Sequence, residues 1–255
     1  MNLKKNIKES IGHGLNIALL LVLIACITIS LAPGALAQDS NSAYYREKRI
    51  HNPDGIGKYY MNREIAQVMG HQAKMWLERT SRVSEETPDL TIEELELKPD
   101  DVVADIGAGT GYFSLRIAKS LSEGKVYAVD IQPEMLDALS ARQQAQEIDN
   151  VETILSSEDN PHLPPASIDL AFMVDAYHEF SYPREMMMGI MQALKPGGRV
   201  VLLEYRKENP MIMIKPLHKM TQRQVKKELK AVGLKWQKTK EFLPEQHFMI
   251  FTKPV

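Results

Sequence analysis

Three groups of residues have types and spacings that chemistry can use. The first is Asp105-Ile106-Gly107-Ala108-Gly109-Thr110-Gly111. Its alternating glycines allow a tight turn with positive φ and let a ligand reach the backbone without meeting a Cβ. The second is Asp130, nineteen residues beyond Gly111, where a carboxylate can accept hydrogen bonds from both hydroxyls of a ribose. The third is Asp175-Ala176-Tyr177-His178-Glu179-Phe180, the densest cluster of titratable and aromatic groups in the chain. The first two describe a nucleoside site. The third offers proton transfer near neutral pH, with His178 as the candidate base and Glu179 to orient it. A packing or cofactor-lining role for His178 fits the same residues, and Asp175 suits a place beside the cofactor better than that of an acid.

The glycine spacing narrows the choice of nucleoside. A pyrophosphate-binding turn reads Gly-x-Gly-x-x-Gly, with a helix N-terminus facing the phosphates. This chain reads Gly-x-Gly-x-Gly, and Asp105 stands just before the turn. An acid there repels a pyrophosphate but suits a ligand carrying an ammonium and a sulfonium. The pattern favours S-adenosylmethionine over NAD.

These residues need strands to bring them to one edge. From Val102 onward, short apolar runs alternate with helical stretches. The periodicity predicts strands at 102–106, 125–129, 151–155, 168–174 and 199–205, and helices at 112–121, 133–146, 183–194 and 221–232. The alternation predicts an α/β fold: a Rossmann-like, doubly wound, mostly parallel sheet with helices on both faces. Strand 102–106 lies centrally, and two last strands near 234–241 and 247–252 pair antiparallel. Ligands of such sheets lie beyond the carboxyl ends of the strands, where all three groups fall. Ahead of this domain, 38–58 is polar and predicts an extended or loosely held arm. Asn62 is the expected cap of a helix carrying Ile65, Val68, Met69, Met75, Trp76 and Leu77, and a short helix opens at Pro88. The organisation is 1–37, an N-terminal arm and helical extension over 38–98, and the main domain over 99–255.

With these elements in place, Val103-Ala104-Asp105-Ile106-Gly107-Ala108-Gly109-Thr110-Gly111 resembles motif I of class I S-adenosylmethionine-dependent methyltransferases. Val129-Asp130-Ile131 resembles the family's second motif, and Leu194-Lys195-Pro196-Gly197-Gly198-Arg199 the turn before its fifth strand. The resemblance runs from about Val102 to Lys253. It implies methyl transfer by in-line displacement to a small-molecule or lipid-like acceptor. By the same resemblance Asp105 would help hold the methionine end, and Gly107, Gly109 and Gly111 would line the cofactor. Asp130 would bind the ribose hydroxyls and Ile131 would pack on the adenine. The family often has Gly-Asp-Ala after its third strand; this chain has Ser156-Ser157-Glu158-Asp159, which leaves Ser157 or Glu158 to meet the adenine amino group. In this family such extensions can cap the pocket, as Tyr59, Tyr60 and Arg63 would here, although packing on the sheet edge fits equally. Two alternatives stand beside methyl transfer: an exported non-catalytic binding protein of the same fold, and an NAD-dependent oxidoreductase.

Composition excludes other classes. Lys and Arg total 31 against 33 Asp and Glu, a balance that argues against a surface built for nucleic-acid phosphates. No metal is expected, because His218 and His247 stand apart from clustered carboxylates and cysteines in the sequence. The lone Cys26 cannot form a disulfide within one chain. Lys4, Lys5 and Lys8, the apolar run 17–31 and Ala35-Leu36-Ala37 form an export-signal pattern. Cleavage after Ala37 would deliver a periplasmic or secreted product. Lipidation of Cys26, or retention of the apolar run as an anchor, would instead tie the chain to a membrane.

Overall fold

The computed structural model describes residues 43–255; the export signal, its cleavage site and Cys26 lie outside the described residues. The larger of its two sheets has seven strands in the order β6-β5-β4-β7-β8-β10-β9. These are β4 (Val102–Ile106), β5 (Lys125–Asp130), β6 (Val151–Leu155), β7 (Ile168–Val174), β8 (Leu194–Tyr205), β9 (Lys235–Lys240) and β10 (Gln246–Thr252). The first five run parallel, while β10 is antiparallel to both β8 and β9. The central strands β4 and β7 are apolar on both faces because both faces are covered. On one side Met187, Ile190 and Leu229 come from α6 (Pro183–Ala193) and α7 (Gln222–Ala231). On the other, Leu115, Ile117 and Leu139 come from α4 (Ser114–Ser120) and α5 (Pro133–Ala145). The chain proceeds outward from β4 to β6 and then resumes at β7 on the other side. That reversal makes the crevice above β4 and β7 a topological switch point.

Strand β8 starts five residues earlier than its apolar pattern predicts. Leu194 already pairs with Ile168, and the register then shifts before Leu170 meets Arg199. Gly197, at φ 77°, takes up the shift, so the expected Lys-Pro-Gly-Gly turn persists as a bulge at the strand's start.

The N-terminal region departs further from expectation. The predicted loose arm is a three-stranded antiparallel sheet of β1 (Tyr45–Glu47), β2 (Gly55–Tyr60) and β3 (Arg63–Ala66). The helix expected after Asn62 begins instead as β3. Tyr60 pairs directly with Arg63, and the two residues between them, Met61 and Asn62, hold φ values of 48° and 76°. Asn62 is thus a hairpin-turn residue, where the left-handed region suits its short amide side chain. Helix appears only later, in α1 (Lys74–Leu77), α2 (Arg82–Glu86) and α3 (Pro88–Glu93). Trp76 and Met75 remain exposed and supply no core. Among the described residues no helix is long and apolar enough to cross a membrane.

Two sets of contacts fasten this sheet to the main domain. The buried Arg63 guanidinium grips Glu228 of α7 with two hydrogen bonds, 2.8 and 2.9 Å, and donates a third, 3.0 Å, to the His178 carbonyl. Tyr177 donates its hydroxyl to the same Glu228 carboxylate, 2.8 Å. Further along, Gln132 receives the His71 amide at 2.7 Å and donates to the Met69 carbonyl at 3.0 Å. The N-terminal region thereby becomes one wall of the crevice.

Candidate active site

A cavity of about 560 Å³ opens at the carboxyl ends of β4, β5, β6, β7 and β8. That size lies within the roughly 300–1,000 Å³ usual for small-molecule sites. One half is built mainly from backbone. Gly107 and Gly109 line it with φ of 77° and 55°. A Cβ on Gly107 would sit 2.6 Å from that of Ala176, so only glycine lets the ends of β4 and β7 approach this closely. Asp130, at the end of β5, accepts the Gly109 amide at 2.8 Å and the Gln132 amide at 2.9 Å, which ties the loop to the strand. Burial pushes its pKa up, and those amide bonds counter part of the rise. Ile131, Ser157 and Glu158 also face the cavity. Ile131 is partly exposed, and the Ser157 hydroxyl donates to Asp159 at 2.8 Å.

Two of the sequence candidates stand behind this surface. Asp105 is buried beneath the loop and accepts the Ser114 hydroxyl at 2.5 Å. Burial raises its pKa to about 6, against the lowering influence of Ser114 and Arg82. Gly111, φ 82°, packs against Leu139, whose Cγ would lie 2.7 Å from an added Cβ. The third glycine therefore serves the seating of α5 against the loop.

Further along the wall lies a set of charges that the sequence reading missed. Arg79, Arg82, Glu86 and Tyr205 join Asp175 at the cavity. Arg82 pairs with Glu86 at 2.8 Å, Arg79 donates to the Tyr205 hydroxyl at 3.2 Å, and Gln246 donates to Asp175 at 2.6 Å. The other carboxylate oxygens, Asp175 Oδ1 and Glu86 Oε2, are buried with no hydrogen-bond partner. Burial, with Glu204 and Glu86 nearby, pushes the Asp175 pKa well up. Orphaned acceptors of this kind invite a donor such as an ammonium. With the two arginines beside them, the set matches an amino-acid zwitterion such as the methionine end of S-adenosylmethionine. The residues fit that cofactor.

The neighbouring part of the wall is built from side chains. Asp175 leaves β7 with φ 49°, and a 3-10 turn, Tyr177–Glu179, follows. His178 is buried with its Nδ1 2.6 Å from Glu204 Oε2, while its amide donates to Glu204 Oε1 at 3.2 Å. The residue orienting His178 is therefore Glu204 on β8, not Glu179. Glu179 Oε1 stands on the cavity side, 3.7 Å from His178 Nε2 and 3.4 Å from His218 Nδ1, and accepts the Met69 amide at 3.2 Å. His178 Nε2 and His218 Nδ1 are 3.1 Å apart. Burial alone would lower the His178 pKa, but Glu204 and Glu179 reverse this and push it up to about 10. Burial alone would raise that of Glu179, but hydrogen bonds from His178 and His218 hold it down to about 2. The two carboxylates therefore favour positive charge between them, which a proton on His178 or another cation can supply. The ground for setting a metal aside also falls, since two imidazoles and a carboxylate meet here. His218 carried no local signal. Glu204 did carry one, as a carboxylate directly after the apolar run Val200–Leu203 on a predicted strand.

Comparison with known proteins agrees with this geometry. Residues 104–200 match the family described as "Methyltransferase domain". An uncharacterized methyltransferase-like protein of Schizosaccharomyces pombe is 30% identical over 58% of this chain and 55% of its own length. A demethylmenaquinone methyltransferase of Tropheryma whipplei is 31% identical over 48% of each chain. A solved S-adenosylmethionine-dependent methyltransferase from Aquifex aeolicus shares the fold with a TM-score of 0.69 and 24% identity, covering 73% of this chain and all of that one. The chain spans about half the length of these two curated relatives. Fold, site and likenesses support a class I methyltransferase domain. The cofactor they support is S-adenosylmethionine.

Proposed function

We propose that the protein transfers a methyl group from S-adenosylmethionine to a small-molecule or lipid-like acceptor. The observation that carries this reading is a single cavity with two chemically distinct ends. One end has a glycine loop, a ribose-directed Asp130 and unpartnered carboxylate oxygens beside arginines; the other has a cluster of His178, Glu179 and His218. S-adenosylmethionine, when bound, supplies an electrophilic methyl on a sulfonium. Asp130 would hold its ribose, Ile131 its adenine, and Asp175 and Glu86 its ammonium. Much of catalysis of an in-line displacement is positioning, and the His178–Glu179–His218 cluster would orient the acceptor's nucleophilic atom. The lip of the cavity supports an apolar acceptor, since Trp76 is 48% and Met213 94% exposed there. Export through residues 1–37, with cleavage after Ala37, is part of the proposal.

Calorimetric titration of the purified full chain tests the reading. S-adenosylmethionine and S-adenosylhomocysteine should each give saturable heat, and NADH none. Silence with both sulfur ligands would overturn it, and binding without turnover on an acceptor panel would leave a non-catalytic binding protein.

A further inference from the structure

Three ligand-type atoms from two parts of the chain, the turn Tyr177–Glu179 and the turn Pro216–His218, converge at the cavity. They are His178 Nε2, Glu179 Oε1 and His218 Nδ1, all within 4.8 Å of one another. The edges of the triangle they form are 3.1, 3.7 and 3.4 Å. Edges of that length place the centre about 2.0 Å from each corner, close to the roughly 2.0–2.2 Å of zinc–nitrogen and zinc–oxygen bonds.

The surroundings point the same way. Fully buried Glu204 takes His178 Nδ1 at 2.6 Å and so aims Nε2 inward, the arrangement a carboxylate gives a metal-binding histidine. Two carboxylates, Glu179 and Glu204, face two imidazoles, a charge that a dication balances. Two flanking cations are committed elsewhere. Arg63 is paired with Glu228 and reaches only the His178 carbonyl, and Lys215 is paired with Asp54 at 2.5 Å.

We propose that His178, Glu179 and His218 bind a divalent transition-metal ion, with zinc favoured by the mixed nitrogen and oxygen donors, and that Glu204 is the positioning residue behind His178. Three protein ligands leave a coordination position open. If the methyltransferase reading above holds, that position takes the acceptor's oxygen and lowers its pKa, as metal ions do for bound water. Binding of the ion itself does not depend on that reading.

The test uses the full chain, stripped with chelator and titrated with Zn²⁺ or Co²⁺ alone. The expected result is one Zn²⁺ per chain and, with Co²⁺, the intense visible bands of a four-coordinate ion. Glu204→Gln should weaken Zn²⁺ binding by about 10- to 100-fold. His218→Ala and Glu179→Gln should lose stoichiometric binding while thermal melting stays cooperative. Should His218→Ala fail to fold, the isosteric Glu179→Gln carries the comparison. Substoichiometric binding by the wild type, or unchanged affinity in Glu179→Gln, would overturn the proposal. Cofactor calorimetry on the same samples keeps the two readings apart. Zinc uptake without cofactor heat refutes methyl transfer and retains the metal site; the reverse result refutes the metal site alone.

Discussion

The two ends of the cavity are made in different ways. The cofactor end is largely backbone: a loop of glycines follows one strand, and Asp130 ends the next strand and accepts the loop's own amide. The loop and Asp130 lie within 26 residues of sequence, from Asp105 to Asp130, on neighbouring parallel strands, while Arg82, Glu86 and Asp175 join them from elsewhere in the chain. The acceptor end is almost wholly side chain and draws on β7, β8 and the turn at Pro216–His218. It is braced from the N-terminal sheet by Arg63. The glycine loop and Asp130 follow from local rules, whereas the acceptor end exists only if distant elements dock correctly. The acceptor end should therefore be the more fragile of the two, and the one in which substitutions separate turnover from cofactor binding.

The sharpest way to break that contrast is Glu179→Gln. Turnover should fall by about 10²-fold, the usual cost of misplacing a positioned reactant, while the cofactor dissociation constant stays put. Steady-state kinetics and calorimetry on one preparation decide it, and a parallel loss of cofactor affinity would merge the two ends. Next is Arg63→Ala, which strands the buried Glu228 carboxylate and releases the His178 carbonyl. Urea unfolding should show a loss of roughly 3–5 kcal/mol, the cost of breaking one partner out of a buried pair. A loss under about 1 kcal/mol, as from a surface pair, would mean that the brace is dispensable.

Asp130→Ala probes the cofactor end. Hydrogen bonds to a charged group contribute about 1.5–3 kcal/mol, so affinity for S-adenosylhomocysteine should fall roughly 10- to 100-fold. Calorimetry showing unchanged affinity would remove Asp130 from the ribose site. The smallest effect is expected at Asp105, which lies under the loop. Its folded pKa of about 6 stands above the ordinary carboxylate value. The protonated form is therefore the one the fold favours; its contribution is complete below pH about 3.9 and is lost as pH rises through 6. Asp105→Asn should flatten this part of the stability profile, read as melting temperature from pH 4 to 8. A profile that keeps its slope would assign the pH dependence to another group.

Much of the fold was legible because it repeats. Apolar strands alternating with amphipathic helices leave few arrangements other than a parallel sheet covered on both faces. The hairpin at Met61-Asn62 escaped because Asn caps helices and turns hairpins with the same side chain, and Arg63, Glu64 and Ile65 give too short a window to separate the two periods. Trp76 and Met75 looked like core at helical spacing, yet both are exposed, and Trp76 stands at the cavity's lip. Apolar residues around a site and apolar residues in a core leave the same trace in composition.

By itself the chain determined the glycine loop, Asp130 and the strands that bring them together, because each depends on local backbone conformation and on neighbours in sequence. Only tertiary structure decided that Glu204 stands behind His178, that His218 joins Glu179, and that Arg63 holds the turn carrying them. Those residues meet because β7 and β8 pair in register and the N-terminal sheet docks on α7. Such long-range pairings are set by the packing of the whole domain, which no short stretch of residues encodes.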